Sequence, residues 1–136
     1  MWERKPLLLI AEDDPDDQLL IQDAIDEACP QDLETFFVLD GVELMEFLQE
    51  KAKGPAKPGL VLLDLNMPRK DGRAALQEIK ANPNFASIPI VIFTTSSSDL
   101  DVQYCQKYGV NGYFRKPNSV TELREIMGHL CMDYLN

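Results

Sequence analysis

Three carboxylates directly follow strand-length apolar runs in this sequence, and they are its first candidates for chemistry. Asp64 follows the run 60–63, and Glu12 and Asp13 follow the run 7–11. A continuous apolar run of this length is typical of a strand buried on both faces of a parallel sheet. In open α/β sheets, ligands and reactive groups lie at the carboxyl ends of the strands. We therefore expect the acids to meet at one edge, where each needs solvent, a partner or a cation.

A hydroxyl group and an amine follow two later apolar runs. Thr94 comes after the run 88–93, and Lys116 comes after the short run 112–115. If all of these strands are parallel, both side chains reach the same edge as the acids. The lysine would balance charge and hold a phosphoryl oxygen, to which the threonine would donate a hydrogen bond. The set suits a phosphoryl group placed on a carboxylate nucleophile, and Asp64 is the expected nucleophile.

Three carboxylates within a few ångströms of one another predict a bound cation, because they cannot all be ionised without one. Ligands that are all oxygen favour a hard ion that keeps some water, which points to Mg²⁺ rather than zinc. Cys29, Cys105 and Cys131 have no metal-ligand spacing. We expect all three to pack as small apolar side chains without a redox role.

Other charged residues near these acids are assigned no chemistry. Asp14, Asp16 and Asp17 are interpreted as a solvated helix start, since acids favour helix N-termini. Arg69 and Lys70 are expected in a solvated loop.

Helical patterns alternate with the apolar runs along the whole chain. Strands are predicted at 7–11, 35–39, 60–63, 88–93 and 112–115. Helices are predicted from 15 to about 29, after 41, from about 73 to 81, from about 99 to 108, and from 120 to 134. Five such units predict an α/β fold, (βα)5, with a doubly wound, five-stranded parallel sheet and right-handed crossovers.

Composition bounds the possible functions. The 136 residues fit one domain, 1–136, and 45% of them are hydrophobic, which is enough for a core. The net charge of −10 argues against nucleic acid as a partner, because binding phosphates needs a basic surface. The apolar runs are too short to span a membrane, and no signal peptide is visible. We therefore expect a cytoplasmic protein without an output domain.

The ordered set of motifs resembles the receiver domain of two-component response regulators. The resemblance covers nearly the whole chain. It rests on Glu12-Asp13, Leu63-Asp64-Leu65-Asn66-Met67-Pro68-Arg69-Lys70-Asp71-Gly72, Thr94 and Lys116-Pro117. It implies a flavodoxin-like receiver fold with strand order 2-1-3-4-5.

The resemblance also implies residue roles around a phosphorylation site. Asp64 matches the phosphoacceptor, and Asp13 and Asp64 match side-chain ligands of Mg²⁺. Asn66 matches the ligand that uses its backbone carbonyl, and Glu12 matches the acid that supports the ion. The chain would then be no enzyme toward a separate substrate, beyond its own phosphotransfer and autodephosphorylation.

A second group of matching residues belongs to the switch of receiver domains. Lys116 matches the lysine that pairs with the phosphoryl group, and Thr94 matches the switch hydroxyl. Tyr113 matches the aromatic residue whose rotamer follows that hydroxyl. The resemblance implies a cis peptide bond between Lys116 and Pro117. Ser96, two residues after Thr94, is placed to influence the water that attacks the acyl phosphate.

The resemblance implies a histidine kinase as the phosphodonor. The run Leu62-Leu63-Asp64-Leu65-Asn66-Met67-Pro68, the Asp71-Gly72-Arg73 that follows, Thr94-Thr95-Ser96 and the insertion 51–59 are similar to single-domain regulators of phytochrome-type histidine kinases. The signal is expected to leave through protein contacts on the fourth helix, fifth strand and fifth helix. The same surface is a candidate homodimer interface.

Three alternatives use the same fold or the same nucleophile. A haloacid-type phosphatase would need a second catalytic aspartate two residues after Asp64, where Asn66 stands. A pseudo-receiver that is never phosphorylated would not need the complete set of acids, hydroxyl and lysine. A flavin-binding protein would need a phosphate-binding loop after the first strand, where Glu12 and Asp13 would instead repel phosphate.

Overall fold

Five strands alternate with five helices in the computed structural model, which describes residues 5–30, 32–51 and 57–135. The strands are β1 (Leu7–Ala11), β2 (Glu34–Val38), β3 (Leu60–Leu63), β4 (Ile90–Thr94) and β5 (Gly112–Arg115). The helices are α1 (Pro15–Ala28), α2 (Gly41–Lys51), α3 (Gly72–Ala81), α4 (Asp99–Lys107) and α5 (Val120–Tyr134). The predicted insertion 51–59 lies partly outside the described residues.

The strands form one parallel sheet in the order β2-β1-β3-β4-β5. Two apolar clusters cover its opposite faces. Leu9 and Leu63 belong to the cluster beneath α2 and α3, and their neighbours Leu8 and Leu62 belong to the cluster beneath α1 and α5. Alternate residues of one strand therefore enter different cores, which explains why these strands are continuously apolar. The predicted fold class and strand order are confirmed.

Most predicted element boundaries agree with the structure within two residues. Asp14 caps α1 by accepting hydrogen bonds from two backbone N–H groups, as its position before Pro15 predicts. The fourth strand begins at Ile90 rather than residue 88, because Pro89 has no N–H group to give to the ladder. That strand also extends through Thr94, so the hydroxyl lies at the end of the sheet.

The helices differ in how firmly they are anchored. The 15-residue helix α5 buries Leu123, Met127, Leu130 and Cys131. Of the nine residues of α4, only Cys105 is buried, as its weak apolar pattern predicts. Within the described part of the chain, no helix combines the length and hydropathy needed to cross a membrane.

The prediction for two of the three cysteines is wrong. Cys29, after the end of α1, and Cys131, on α5, form a disulfide with a Cα–Cα distance of 5.9 Å. The spacing of 102 residues gave no sign of this pairing, which depends on α1 packing beside α5. Cys105 is a buried free thiol, as expected, and burial raises its pKa to about 11.

Candidate functional site

The strand register brings the predicted acids and the lysine to the same edge of the sheet. Ala11 pairs with Leu63, so Glu12 and Asp64 are the next residues on neighbouring strands. On the other side, Thr94 pairs with Arg115, and Lys116 follows directly. The backbone N–H of Lys116 donates to the carbonyl of Thr94 at 2.8 Å.

Lys116 occupies the centre of the cluster. Its Nζ lies 3.0 Å from Asp64 Oδ2, 2.8 Å from Asp17 Oδ2 and 2.5 Å from Glu12 Oε1. Burial alone would lower the pKa of Lys116, but hydrogen bonds to Asp17 and Glu12 and the charge of Asp64 raise it above its usual value. The ammonium group therefore stays charged and offsets part of the negative charge around it.

Glu12 is the most deeply buried acid of the cluster, with 1% of its surface exposed. Burial raises the pKa of this carboxyl group, and the hydrogen bond to Lys116 opposes that effect. Its Oε2 accepts from the N–H of Asp14 at 3.1 Å, and its Oε1 is ion-paired with Lys116 Nζ at 2.5 Å. Beside this ion pair, Oε1 keeps a lone pair with which it could bind a cation.

Glu12, Asp13 and Asp64 place one carboxylate oxygen each within 4.8 Å of the others, which confirms that they converge. Asp13 is exposed and the other two are buried, so the cluster reaches solvent on one side. Asp17 adds a fourth carboxylate to this group, and Lys116 pairs with three of the four, those of Glu12, Asp17 and Asp64. The all-oxygen donor set and the excess negative charge fit a hard divalent cation.

Both oxygens of Asp64 are held in place. Oδ1 accepts from the N–H of Asn66 at 3.1 Å, and Oδ2 accepts from Lys116. The backbone N–H of Asp64 donates to the carbonyl of Ala11 at 3.1 Å. The carboxylate is thus fixed at the end of β3, although it remains 5% exposed.

Gly72 allows the first turn of α3 to pack against the end of β3. A Cβ atom at this position would lie 2.2 Å from the carbonyl oxygen of Asp64. The N–H of Gly72 donates to the carbonyl of Leu65 at 2.9 Å. Because no other residue fits this approach, Gly72 helps to fix the backbone that carries Asp64.

A hydrogen-bonded group surrounds the predicted switch hydroxyl. Thr94 is fully buried, and its Oγ1 accepts from the N–H of Ser96 at 3.4 Å. The hydroxyl of Tyr113 donates to the carbonyl of Ser96 at 2.9 Å, and the Tyr113 ring packs against the apolar cluster beneath α2 and α3. Thr94 and Tyr113 are therefore connected through one residue, Ser96.

Sequence comparison identifies the family. The family profile described as the response regulator receiver domain matches residues 8–128, which is most of the chain. The chain belongs to this family. It is thus a receiver domain of two-component signal transduction, and the acidic cluster described above lies in that matched region.

Relatives of this receiver domain include stand-alone response regulators, one of them a phytochrome response regulator. Response regulator Rcp1 of Synechocystis sp. is 38% identical over 119 residues, which are 86% of this chain and 80% of Rcp1. A crystal structure of the phosphorylated cyanobacterial phytochrome response regulator RcpA has a TM-score of 0.87 at 33% identity and covers 97% of this chain and 95% of RcpA. The Mn²⁺-bound form of Rcp1 has a TM-score of 0.84 at 36% identity, covering 96% of this chain and 95% of that chain.

Asp17 is a site residue that sequence reasoning missed. As part of the helix start it is expected to be solvated, but its carboxylate lies 2.8 Å from the Lys116 ammonium group. The first turn of α1 begins directly after the acids of β1, so Asp17 faces the end of β5. The sequence places Asp17 in the turn capped by Asp14 but gives no signal of its lysine partner.

The loop after β3 exposes Arg69 to solvent, as expected, but Arg69 and Lys70 are also both ion-paired. Arg69, with a φ of 59°, donates from Nε to Asp40 Oδ2 at 2.6 Å, and Lys70 pairs with Glu78. Burial would raise the pKa of Asp40, but hydrogen bonds from Glu43 N–H and from Arg69 lower it. The loop is therefore tied to the start of α2, because the buried Asp40 requires partners.

The predicted cis peptide bond is not found, since Lys116–Pro117 is trans in this receiver domain. The sequence cannot choose between the isomers, because a proline bond favours trans by only about 0.5–1 kcal/mol before tertiary contacts act. The assignment of Asn66 is a different case. Its N–H contacts Asp64, and the role of its carbonyl as a metal ligand stays a prediction.

Proposed function

We propose that Asp64 accepts a phosphoryl group from a partner histidine kinase. The observation that carries this proposal is the position of Asp64, a largely buried carboxylate at the end of a central strand that touches Lys116 at 3.0 Å. A carboxylate in this position can act as a nucleophile, and the Lys116 ammonium group can stabilise the negative charge of the incoming phosphoryl group. In the transfer, the bond from phosphorus to the kinase histidine breaks and a bond from phosphorus to an Asp64 oxygen forms.

The acids around Asp64 would hold Mg²⁺. Glu12, Asp13, Asp64 and the backbone carbonyl of Asn66 are the proposed ligand set, with Glu12 in a supporting position. The bound ion supplies charge neutralisation at the phosphoryl oxygens. The mutual proximity of the three carboxylates supports this assignment, because Lys116 is the one basic side chain that pairs with them among the described residues.

Lys116 exchanges one anionic partner for another during the proposed reaction. Before transfer it pairs with Asp64, Glu12 and Asp17 and offsets part of their negative charge. After transfer, the Asp64 carboxyl group is part of an acyl phosphate and no longer carries its own charge, and the ammonium group pairs with the phosphoryl oxygens instead. This exchange retains the ion pair without requiring Lys116 to leave its buried position.

Thr94 and Tyr113 form the proposed switch. The Thr94 hydroxyl donates a hydrogen bond to the phosphoryl group. Ser96 moves with Thr94, because its N–H donates to the Thr94 hydroxyl oxygen. Tyr113 bonds to the carbonyl of Ser96, so its ring position depends on the same loop. The loop and α4 then shift between two packings, which the weak burial of α4 permits.

The proposed phosphodonor is a phytochrome-type histidine kinase in the cytoplasm. The similarity to Rcp1 and to the phytochrome response regulator RcpA supports this choice. The signal would then leave through α4, β5 and α5, where Leu100 on α4 is 77% exposed and offers an apolar contact. The same surface is the proposed homodimer interface, and no nucleic acid is involved.

The first experiment compares phosphorylation of single variants by a small phosphodonor in the presence of Mg²⁺. Wild type should incorporate phosphate, and Asp64→Asn should not. Asp133→Asn is the matched control, because it makes the same chemical change at an exposed site on α5. Equal incorporation by wild type and Asp64→Asn would remove Asp64 as the acceptor.

A second experiment tests the donor and the enzyme alternative together. Phosphate should pass from an autophosphorylated phytochrome-type kinase to wild type within seconds to minutes, and an unrelated histidine kinase should transfer more slowly. Asn66 stands where a haloacid-type phosphatase needs an aspartate, so no steady turnover of phosphomonoesters is expected. Multiple turnovers of such a substrate would support the phosphatase instead.

A further inference from the structure

We propose that Arg73 and Asp101 are positioning residues of the switch, acting as an ion pair that couples the loop after Asp64 to the loop after Thr94. This inference rests on the proposed function and adds a regulatory connection between α3 and α4 to it. Neither residue touches the phosphoryl site, so both act through the segments that they hold.

The pair has a well-defined geometry. Arg73 Nε donates to Asp101 Oδ1 at 2.7 Å, and Nη2 donates to Oδ2 at 2.7 Å. The two side chains are 30% and 15% exposed. A parallel, two-bond contact of arginine with a carboxylate is more directional than a single ion pair on the surface. The contact therefore fixes the start of α4 relative to the start of α3.

Asp101 reaches the switch through Ser96. The hydroxyl of Ser96 donates to Asp101 Oδ2 at 2.6 Å, while its N–H contacts Thr94 Oγ1 and its carbonyl accepts from Tyr113. Three atoms of Ser96 are thus bonded to three different side chains. Moving the Asp101 carboxylate would displace the residue on which both Thr94 and Tyr113 depend.

Arg73 reaches the phosphorylation site from the other side. Its Nη1 donates to the carbonyl of Leu65 at 3.4 Å, directly after Asp64 in the chain. The hydroxyl of Tyr104 on α4 donates to the carbonyl of Arg73 at 3.0 Å, which adds a second contact between the helices. A continuous series of contacts therefore runs from Leu65 through Arg73, Asp101 and Ser96 to the switch residues.

The weak apolar anchoring of α4 makes these polar contacts decisive for its position. Cys105 is the one buried residue of the helix, and the first turn of α4 is held by Asp101. In the proposed shift, the hydrogen bond from Ser96 to Asp101 makes the loop and the first turn of α4 move as one unit, and the pair keeps that unit joined to Arg73 in both packings. Loss of the pair should therefore weaken the response of the site to a phosphoryl group, by about 5-fold or more at the low end of typical coupling.

The test uses beryllofluoride with Mg²⁺ as a stand-in for the phosphoryl group on the full chain. Binding is measured together with the NMR signal of fluorotyrosine at Tyr113. Asp101→Asn and Arg73→Gln should each weaken binding about 5-fold or more, and each should alter the Tyr113 signal. The double variant should be no worse than the single variants, because both break the same contact.

Glu27→Gln is the matched control. Glu27 pairs with Arg124 at 2.6 Å between exposed parts of α1 and α5, far in sequence from the switch loops. The Glu27→Gln variant loses an ion pair between arginine and a carboxylate, as Asp101→Asn does, and should bind beryllofluoride as wild type does. Binding by Asp101→Asn equal to that of wild type and Glu27→Gln would overturn the proposal, as would additive losses in the double variant.

The two proposals fail in different ways. If wild type binds no beryllofluoride and accepts no phosphate, the proposed function fails. The ion pair is then judged from hydrogen exchange of the amides 96–102 in the metal-free chain, which should be about 10-fold faster in Asp101→Asn than in Glu27→Gln if the pair fixes this segment. Unchanged exchange would reject it. Asp101→Glu keeps the charge and replaces Asp101→Asn if that variant does not fold.

Discussion

Lys116 donates to Asp64 at 3.0 Å although 52 residues separate them in the chain. The contact joins the end of β5 to the end of β3 across the strand that carries Thr94. The same ammonium group reaches Glu12 and Asp17, so one cation connects three segments that meet only in the folded protein. The acidic cluster is therefore held together by one side chain.

Replacing Lys116 by alanine should destabilise the protein in the absence of divalent metal. Removing one partner of a buried ion pair costs about 3–5 kcal/mol, because the remaining charges are left uncompensated. We expect urea denaturation to show a loss of about 3 kcal/mol, and added Mg²⁺ should restore part of it. Phosphorylation by a small donor should also be slower than in wild type.

Lys107→Ala serves as the control, since it removes an exposed lysine near the end of α4. Surface substitutions of this kind usually change stability by less than about 0.5 kcal/mol. A Lys116→Ala protein as stable as Lys107→Ala without metal would contradict the central position assigned to Lys116.

Gly72→Ala should impair phosphorylation of Asp64 without removing any functional group. The new Cβ atom would lie 2.2 Å from the Asp64 carbonyl oxygen, so the end of β3 or the start of α3 must move. We expect the rate of phosphorylation to fall at least about 10-fold, as small displacements of reacting groups do elsewhere.

Gly128→Ala provides the comparison for this substitution. Its Cβ would meet the nearest atom, Ala28 Cβ, at 3.6 Å, an ordinary contact, and alanine favours the helix α5. It should keep wild-type phosphorylation. Equal rates for Gly72→Ala and Gly128→Ala would show that the close approach at Gly72 has no effect on the site.

The positions of the acids, hydroxyl and lysine were predictable because each follows a buried strand of a parallel sheet. Glu12, Asp13 and Asp64 converge for that reason alone. Asp17 and the Arg73–Asp101 pair were not predictable, since they depend on the direction in which α1, α3 and α4 leave the sheet. Helix periodicity predicts which face of a helix is buried, but it does not predict which residue pairs with a charged side chain at the edge of that face.

The Asp101 carboxylate should make stability depend on pH in acid solution. Hydrogen bonds from Arg73 and Ser96 lower the pKa of Asp101 below its usual value. A lowered pKa in the folded state means that the stabilisation is complete above the unfolded pKa of about 3.9 and is lost as the pH falls through the folded value.

The measurement compares the free energies of unfolding of wild type and Asp101→Asn in urea. The difference should be equal at about pH 7 and pH 5 and should shrink below about pH 4. Taking the difference between the two proteins removes the effect of other carboxyl groups that titrate in the same range. A difference that stays constant down to about pH 3 would show that Asp101 is not stabilised as a carboxylate.

The disulfide between Cys29 and Cys131 predicts a thiol count and a stability effect. Of the three cysteines, one should react with a thiol reagent in denaturant before reduction, and all three should react afterwards. We expect the bond under oxidising conditions, because reducing compartments keep such thiols reduced. Closing a loop of this length stabilises a protein by about 4–5 kcal/mol in the chain-entropy description.

Cys29→Ser is the control for this effect. A reductant should lower the stability of the oxidised wild type and leave that of Cys29→Ser unchanged. In the native protein, Cys105 should react slowly, because it is buried and its pKa is raised to about 11. Three reactive thiols in the denatured, unreduced protein would mean that the disulfide does not form.

The pairing of Cys29 with Cys131 could not be predicted from the pattern of apolar residues. A disulfide-bonded cysteine occupies the same kind of buried position as an apolar residue. The helical spacing of the apolar residues on α5 therefore predicts that Cys131 is buried but not that it bonds to Cys29. The contact is set by how α1 packs against α5. Sequence spacing carries no information about this packing over 102 residues.

The central claim is that Asp64 carries the phosphoryl group, and the most direct measurement is chemical trapping of the acyl phosphate. Wild type is phosphorylated by a small donor with Mg²⁺ and reduced with borohydride, which converts a phosphorylated aspartate to homoserine. Peptide mass spectrometry should find homoserine at position 64, and at no other aspartate. Homoserine at Asp13 or elsewhere with position 64 unchanged would contradict the claim.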